Sequence, residues 1–169
     1  MDKPVEHRGT VPKVNIQASP DGLDQRLLVV VVLLVAIALY LNTILNGFVF
    51  DDIHNIVNNQ WIKSISYIPN VFSSHLAGFD KGAATNYYRP LVHLLYMFSY
   101  HVFGLGAWGF HLINVVFHAA VCMVVFLLTS ILLRKSGVST SVHSLFPAFM
   151  AAILFAAHPI HTEAVAWVA

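Results

Sequence analysis

Polar positions fill residues 1–26, where Pro4, Pro12 and Pro20 recur and no apolar periodicity shows. That segment reads as a disordered cytoplasmic tail. The pattern then inverts. Residues 27–45 are apolar apart from Asn42 and Thr43, close to the roughly 20 residues that cross a hydrocarbon core of about 30 Å. Three further apolar runs follow at 91–103, 108–133 and 145–157. The 91–103 run is short for a span, about 20 Å at ~1.5 Å per residue. Pro90 suits its first turn, and Gly104 and Gly106 end it. Helical spacing gathers Arg89, His93, Tyr96 and Tyr100 on one face, with Leu91, Leu94, Leu95, Phe98 and Val102 largely on the other. A short two-faced helix with aromatic residues suits the membrane interface.

Charge orders these elements. With the 90–103 helix lying flat, Lys3, Arg8, Lys13 and Arg26 share a side with Arg134-Lys135. The positive-inside rule makes that side cytoplasmic. The predicted fold is therefore all-α and integral to a membrane. Spans lie at about 27–46, 108–133 and 145–157, and an extracytoplasmic loop at about 47–107 carries the interfacial helix. Residues 1–26 form the tail and 27–169 the membrane domain.

Composition agrees: 57% of residues are hydrophobic and 10% charged, against about 25% charged in soluble domains. A net charge of +1 leaves no basis for a nucleic-acid partner. Cys122 is alone, so no disulfide framework exists. The first apolar run is longer than a signal-peptide core and lacks an A-x-A-like site, so it reads as uncleaved. No Gly-rich phosphate loop, Ser-His-Asp pattern or Cys-based metal site is visible, and no 34-residue helical repeat.

Four constellations carry chemistry. Asp51-Asp52 follow the first span directly, with His54 and Asn55 close behind. Adjacent acids repel, and burying either is costly. Such a pair can deprotonate an acceptor hydroxyl or hold a cation at a phosphate; the plainer alternative is a solvated loop at the helix end. The second is His158-Pro159-Ile160-His161-Thr162-Glu163. It offers imidazoles and a carboxylate for a divalent metal, held with Asp52 by His161 and Glu163, or for an active-site wall. Pro159 argues against a regular helix through it. The third is His111, Asn114 and His118, which share a helix face as hydrogen-bonding groups between helices. The fourth is Arg89, beside Tyr87 and Tyr88, as a phosphate clamp or a snorkelling interfacial residue; Lys63 and Lys81 are weaker versions of it.

Five segments recur in order: Phe48-Val49-Phe50-Asp51-Asp52, Asn55-Ile56-Val57-Asn58-Asn59, Tyr88-Arg89-Pro90-Leu91, Gly109 to Val115 with His118-Ala119-Ala120, and His158 to Val165. Over about residues 27–169 the chain resembles the N-terminal membrane part of the transmembrane-and-tetratricopeptide-repeat O-mannosyltransferases and their bacterial relatives. Those proteins are similar to GT-C glycosyltransferases. The resemblance implies a polyprenyl-phosphate-linked sugar donor, a hydroxyl acceptor that can be a protein, and a base at Asp51 or Asp52, with a slight preference for Asp52. It implies Glu163 as a further acid, Arg89 and Tyr88 at the donor phosphate, and His54, His158 and His161 along the cavity wall. The membrane expected is a bacterial inner membrane, or the endoplasmic reticulum in a eukaryote. The family has more membrane helices and then helical repeats, so the sequence reads as a fragment of a larger bundle, inactive alone. Two other readings stand beside transfer: a non-enzymatic anchor or scaffold for tetratricopeptide repeats, and a cation-coupled transporter using the intramembrane histidines.

Overall fold

The computed structural model describes residues 21–75, 78–80, 87–137 and 142–168; the side chains of 21–24 and 142–144 are outside that description. Residues 1–20 of the expected tail and Lys81 fall outside it as well. All regular structure among the described residues is helical. Six α-helices are present: α1 (Asp21–Tyr40), α2 (Ile68–Ser73), α3 (Pro90–Phe103), α4 (Ala107–Lys135), α5 (Val142–Ala157) and α6 (His161–Ala166).

The boundaries differ from the sequence pattern for local reasons. Among the described residues α1 runs from Asp21, so residues 21–26 are helical. At the other end the Thr43 hydroxyl donates to the Tyr40 carbonyl at 2.7 Å, and residues Leu41–Leu45 tighten into a 3-10 turn. In α5, Pro147 lies inside the helix and does not start it. Helix α6 ends at Ala166, and Trp167 is extended.

Helices α1, α4 and α5 pack mutually as an up-down-up bundle. Their core joins Val32 and Ala36, Ala119, Cys122 and Phe126, and Ala148, Ala152 and Ala156. The three α5 alanines recur every fourth residue and form one small-residue face. That face lets the helix axes approach closely, which is the packing lipid favours. The buried Ser130 hydroxyl is satisfied by the Phe126 carbonyl at 2.7 Å.

Gln25–Leu45 and Ala107–Lys135 are long and apolar enough to cross a membrane, yet only 22% and 33% of their apolar windows are buried in the bundle. Core helices of a water-soluble fold would be mostly covered. The exposed apolar surface suits lipid as its solvent. The chain is a membrane protein. Helix α3 has the matching asymmetry: His93, Tyr96 and Ser99 are buried against the protein, while Leu91, Phe98 and Val102 face outward.

Candidate active site

The bundle brings both acidic motifs to one end. His118 Nε2 lies 3.3 Å from the Ala156 carbonyl, which pairs the start of α4 with the end of α5. The Tyr40 ring meets the His118 ring edge-on at 4.9 Å, adding the end of α1. At the opposite end Arg134 bonds Gln25.

Phe50 begins the site with a left-handed φ of 45°. An aromatic residue in that region is strained by about 1–3 kcal/mol, and such strain gathers at functional sites. The turn separates the two acids. Asp51 is exposed, whereas Asp52 is 2% exposed, and its Oδ2 accepts from the Val49 amide at 3.0 Å. A π-helical turn, Ile53–Val57, follows directly. The Phe50 ring lies against Trp167, so this turn abuts the end of α6.

Between α3 and α6 lies a cleft of about 480 Å³, lined by Arg89, Tyr96, Ile160, Glu163, Trp167 and Val168 among others. It carries a guanidinium and a carboxylate, and among the described residues neither has an oppositely charged partner. Arg89 precedes Pro90 and stacks over the Tyr87 ring at 5.0 Å. Tyr96 donates its hydroxyl to the Val168 carbonyl at 3.1 Å. Burial pushes that hydroxyl well above its ordinary range; the Asp52 carboxylate adds to this and Arg89 opposes it. Both charges therefore act on one phenol, which stays protonated as a donor. Tyr96 and Trp167 were not expected as site residues, although Tyr96 shares the Arg89 face of α3.

The other predicted residues divide. Asn114 donates to the Trp167 carbonyl at 2.7 Å, which ties α4 to the segment after α6, and His118 Nε2 lies 3.3 Å from the Ala156 carbonyl, which ties α4 to α5. His111 is buried, and among the described residues neither ring nitrogen meets a partner at strict hydrogen-bond geometry, although the Gly47 backbone lies within its reach. Tyr88 spends its hydroxyl proton on the Phe72 carbonyl at 2.9 Å. His54 faces Asp80 at 3.9 Å and Phe79 and is not part of the cleft lining. His158 Nδ1 accepts from the Ile160 amide at 3.2 Å, which shapes the turn into α6. His161 packs on Phe155 and His118. Asp52, His161 and Glu163 do not converge: among the described residues no three His, Cys, Asp or Glu side chains form a metal-ligand group. The reason is local, since the Asp52 carboxylate is turned onto Val49 and the His161 ring into an aromatic stack.

One buried link supports the loop. Asn59 Oδ1 accepts from the Trp61 amide at 2.9 Å, and its Nδ2 donates to the Asn55 carbonyl at 3.0 Å. That fixes the amide orientation, so the 3.1 Å contact to His93 Nε2 is a donation to a neutral imidazole. Burial lowers the His93 pKa from its ordinary 6.5. An unfolded chain then takes a proton that the folded chain refuses. Stability is expected to be flat above pH 7 and to fall as pH drops below about 6.5. Thermal unfolding across pH 5–8 checks this, and His93→Gln should flatten the profile.

The comparisons with known proteins bear on this geometry. The chain is 35% identical over 142 residues to the protein O-mannosyl-transferase Tmtc3 of Drosophila melanogaster, covering 76% of this chain and 15% of that protein. It is 36% identical over 132 residues to human protein O-mannosyl-transferase TMTC2, covering 77% and 15%. To protein O-mannosyl-transferase F38B6.6 of Caenorhabditis elegans it is 32% identical over 130 residues, covering 75% and 18%. The chain is a homologue of the TMTC protein O-mannosyl-transferases. It spans about 15% of the length of the first two of these TMTC relatives. No protein-family model matches it, and no solved structure matches it.

Proposed function

We propose that this chain is part of a membrane glycosyltransferase of the O-mannosyl-transferase kind, with a GT-C-like bundle. Its donor is a polyprenyl-phosphate-linked sugar, and its acceptor is a protein hydroxyl on the extracytoplasmic side. Helices α1, α4 and α5 are the three spans, and α3 lies in the interface with its apolar face in lipid. The observation that carries the reading is the placement of exposed Asp51 on a strained turn beside a cleft holding Arg89 and Glu163. Asp51 takes the acceptor proton, the freed oxygen attacks the anomeric carbon, and polyprenyl phosphate leaves with the bond's electron pair. Arg89 offsets the phosphate charge, and Glu163 lines the acceptor side. The sequence slightly favours Asp52 as base, but its burial and its bond to Val49 favour a role in holding the turn.

The test is a chimera of the human relative carrying this chain in place of its own matched segment, assayed for mannose transfer from polyprenyl phosphate mannose to protein. Transfer by a folded chimera supports the reading; a folded but inactive chimera, beside an active parent, refutes it. In the active chimera Arg89→Gln is expected to raise the donor KM about tenfold with a smaller change in kcat. An unchanged KM would remove Arg89 from the phosphate site.

A further inference from the structure

The opposite end of the bundle holds a second, unrelated feature. Arg26, Val29 and Val30 recur at i, i+3 and i+4 on α1, and Leu127, Ile131 and Arg134 at i, i+4 and i+7 on α4. Both sets therefore lie along single helix faces. An apolar cleft of about 530 Å³ lies there, lined by Gln25, Arg26, Val29, Val30 and Leu127. Arg134 donates to the Gln25 side chain, tying the two helices together.

Three cations gather at this end. Arg26, Arg134 and Lys135 are exposed, and among the described side chains none of them has a carboxylate partner; Asp21 and Asp24 belong to the same end of α1. Arg134 gives one nitrogen to a neutral amide and keeps its other donors free. A small free anion would meet only exposed guanidinium groups, in water, and would leave the apolar lining uncovered. A lipid satisfies both parts at once, with its phosphate on the arginines and an acyl chain along Val29, Val30 and Leu127.

We propose that this cleft binds one anionic glycerophospholipid, held by Arg26 and Arg134 at its phosphodiester and by the α1–α4 cleft at one acyl chain. Basic sites between membrane helices recognise anionic headgroups in this way. The site lies far from the sugar-transfer cleft. Along α4, Trp108 to Arg134 is about 40 Å at ~1.5 Å per residue, the thickness of a bilayer with its headgroups. It therefore belongs to the other leaflet and does not depend on the proposed reaction.

The test uses the 169-residue chain in a neutral detergent, titrated with dioleoyl phosphatidylglycerol or dioleoyl phosphatidylcholine and read by native mass spectrometry. One phosphatidylglycerol is expected to stay bound, at least tenfold more tightly than phosphatidylcholine. Arg26→Gln with Arg134→Gln should remove that preference, and Val30→Trp should weaken binding by filling the slot while keeping the charges. Lys63→Gln, a charge change in the loop at the far end, should have no effect. Equal binding of the two lipids, equal loss in Lys63→Gln, or full competition by millimolar inorganic phosphate would overturn the proposal. If the double variant fails to fold, undiminished binding by a folded Val30→Trp would overturn it as well.

Discussion

Asn in place of Asp51 is expected to cut sugar transfer by the chimera about 10²–10⁴-fold, the usual contribution of a positioned base, and to leave its melting temperature unchanged. The side chain is exposed and holds no fold contact shown by the structure, so only chemistry should be lost. Asp52→Ala should do the reverse in kind. It removes the acceptor of the Val49 amide from a buried turn, which costs about 1–3 kcal/mol, and it lowers transfer only as far as the turn loosens. Parallel measurements of transfer and thermal unfolding separate the two. If Asp52→Asn abolishes transfer at full stability while Asp51→Asn stays active, the base is Asp52. If both Asn variants keep full activity, neither carboxylate is the base and the scaffold reading gains.

The second large effect is expected at Gly109. Replacing a helical glycine by alanine ordinarily stabilises by up to about 1 kcal/mol. Here the sign reverses. A methyl group at 109 would lie 2.5 Å from Phe103 Cβ, with the ring of the same residue closer still. The clash is with the root of a side chain, so no rotamer relieves it and α3 must move away from α4. A net loss of about 1–2 kcal/mol is expected after the propensity gain is subtracted. Because Arg89 directly precedes α3 and Tyr96 lies in it, donor KM should rise as well. Thermal unfolding of Gly109→Ala, alone and with Phe103→Ala, checks the cause, since the smaller partner should restore part of the loss. A Gly109→Ala chain more stable than the parent would refute the packing argument.

The long helices were legible because each is an unbroken apolar run ended by proline, glycine or charge. The span of α3 was legible to the residue, since Pro90 and Gly104 mark its ends. The polypeptide between Ile53 and Ser73 was not. It folds as four short helical turns, each too brief to show a period and fixed only by contacts such as Asn59 with His93. Within the site, the residue types were readable and their orientations were not. Two adjacent aspartates look alike in sequence, and it takes the backbone at Phe50 to turn one out and one in. The expected metal set did not assemble for a similar reason: the Asp52 carboxylate is turned back onto Val49 in its own turn, and the His161 ring onto His118 of another helix. Gly109 gave no signal beyond its presence in a helix, because its role depends on Phe103 across a corner.

The hydrogen bonds from Asn114 and Tyr96 to the main chain at Trp167 and Val168 set an order of biogenesis. One comes from α4 and the other from α3, and both grip a segment made after all the helices of the bundle. The wall of the cleft that contains Glu163 is thus made after α1, α3, α4 and α5. Until residue 168 has left the ribosome, Arg89 faces a cleft that lacks its Glu163 wall, and on the proposed reading sugar and acceptor are held together only after that point.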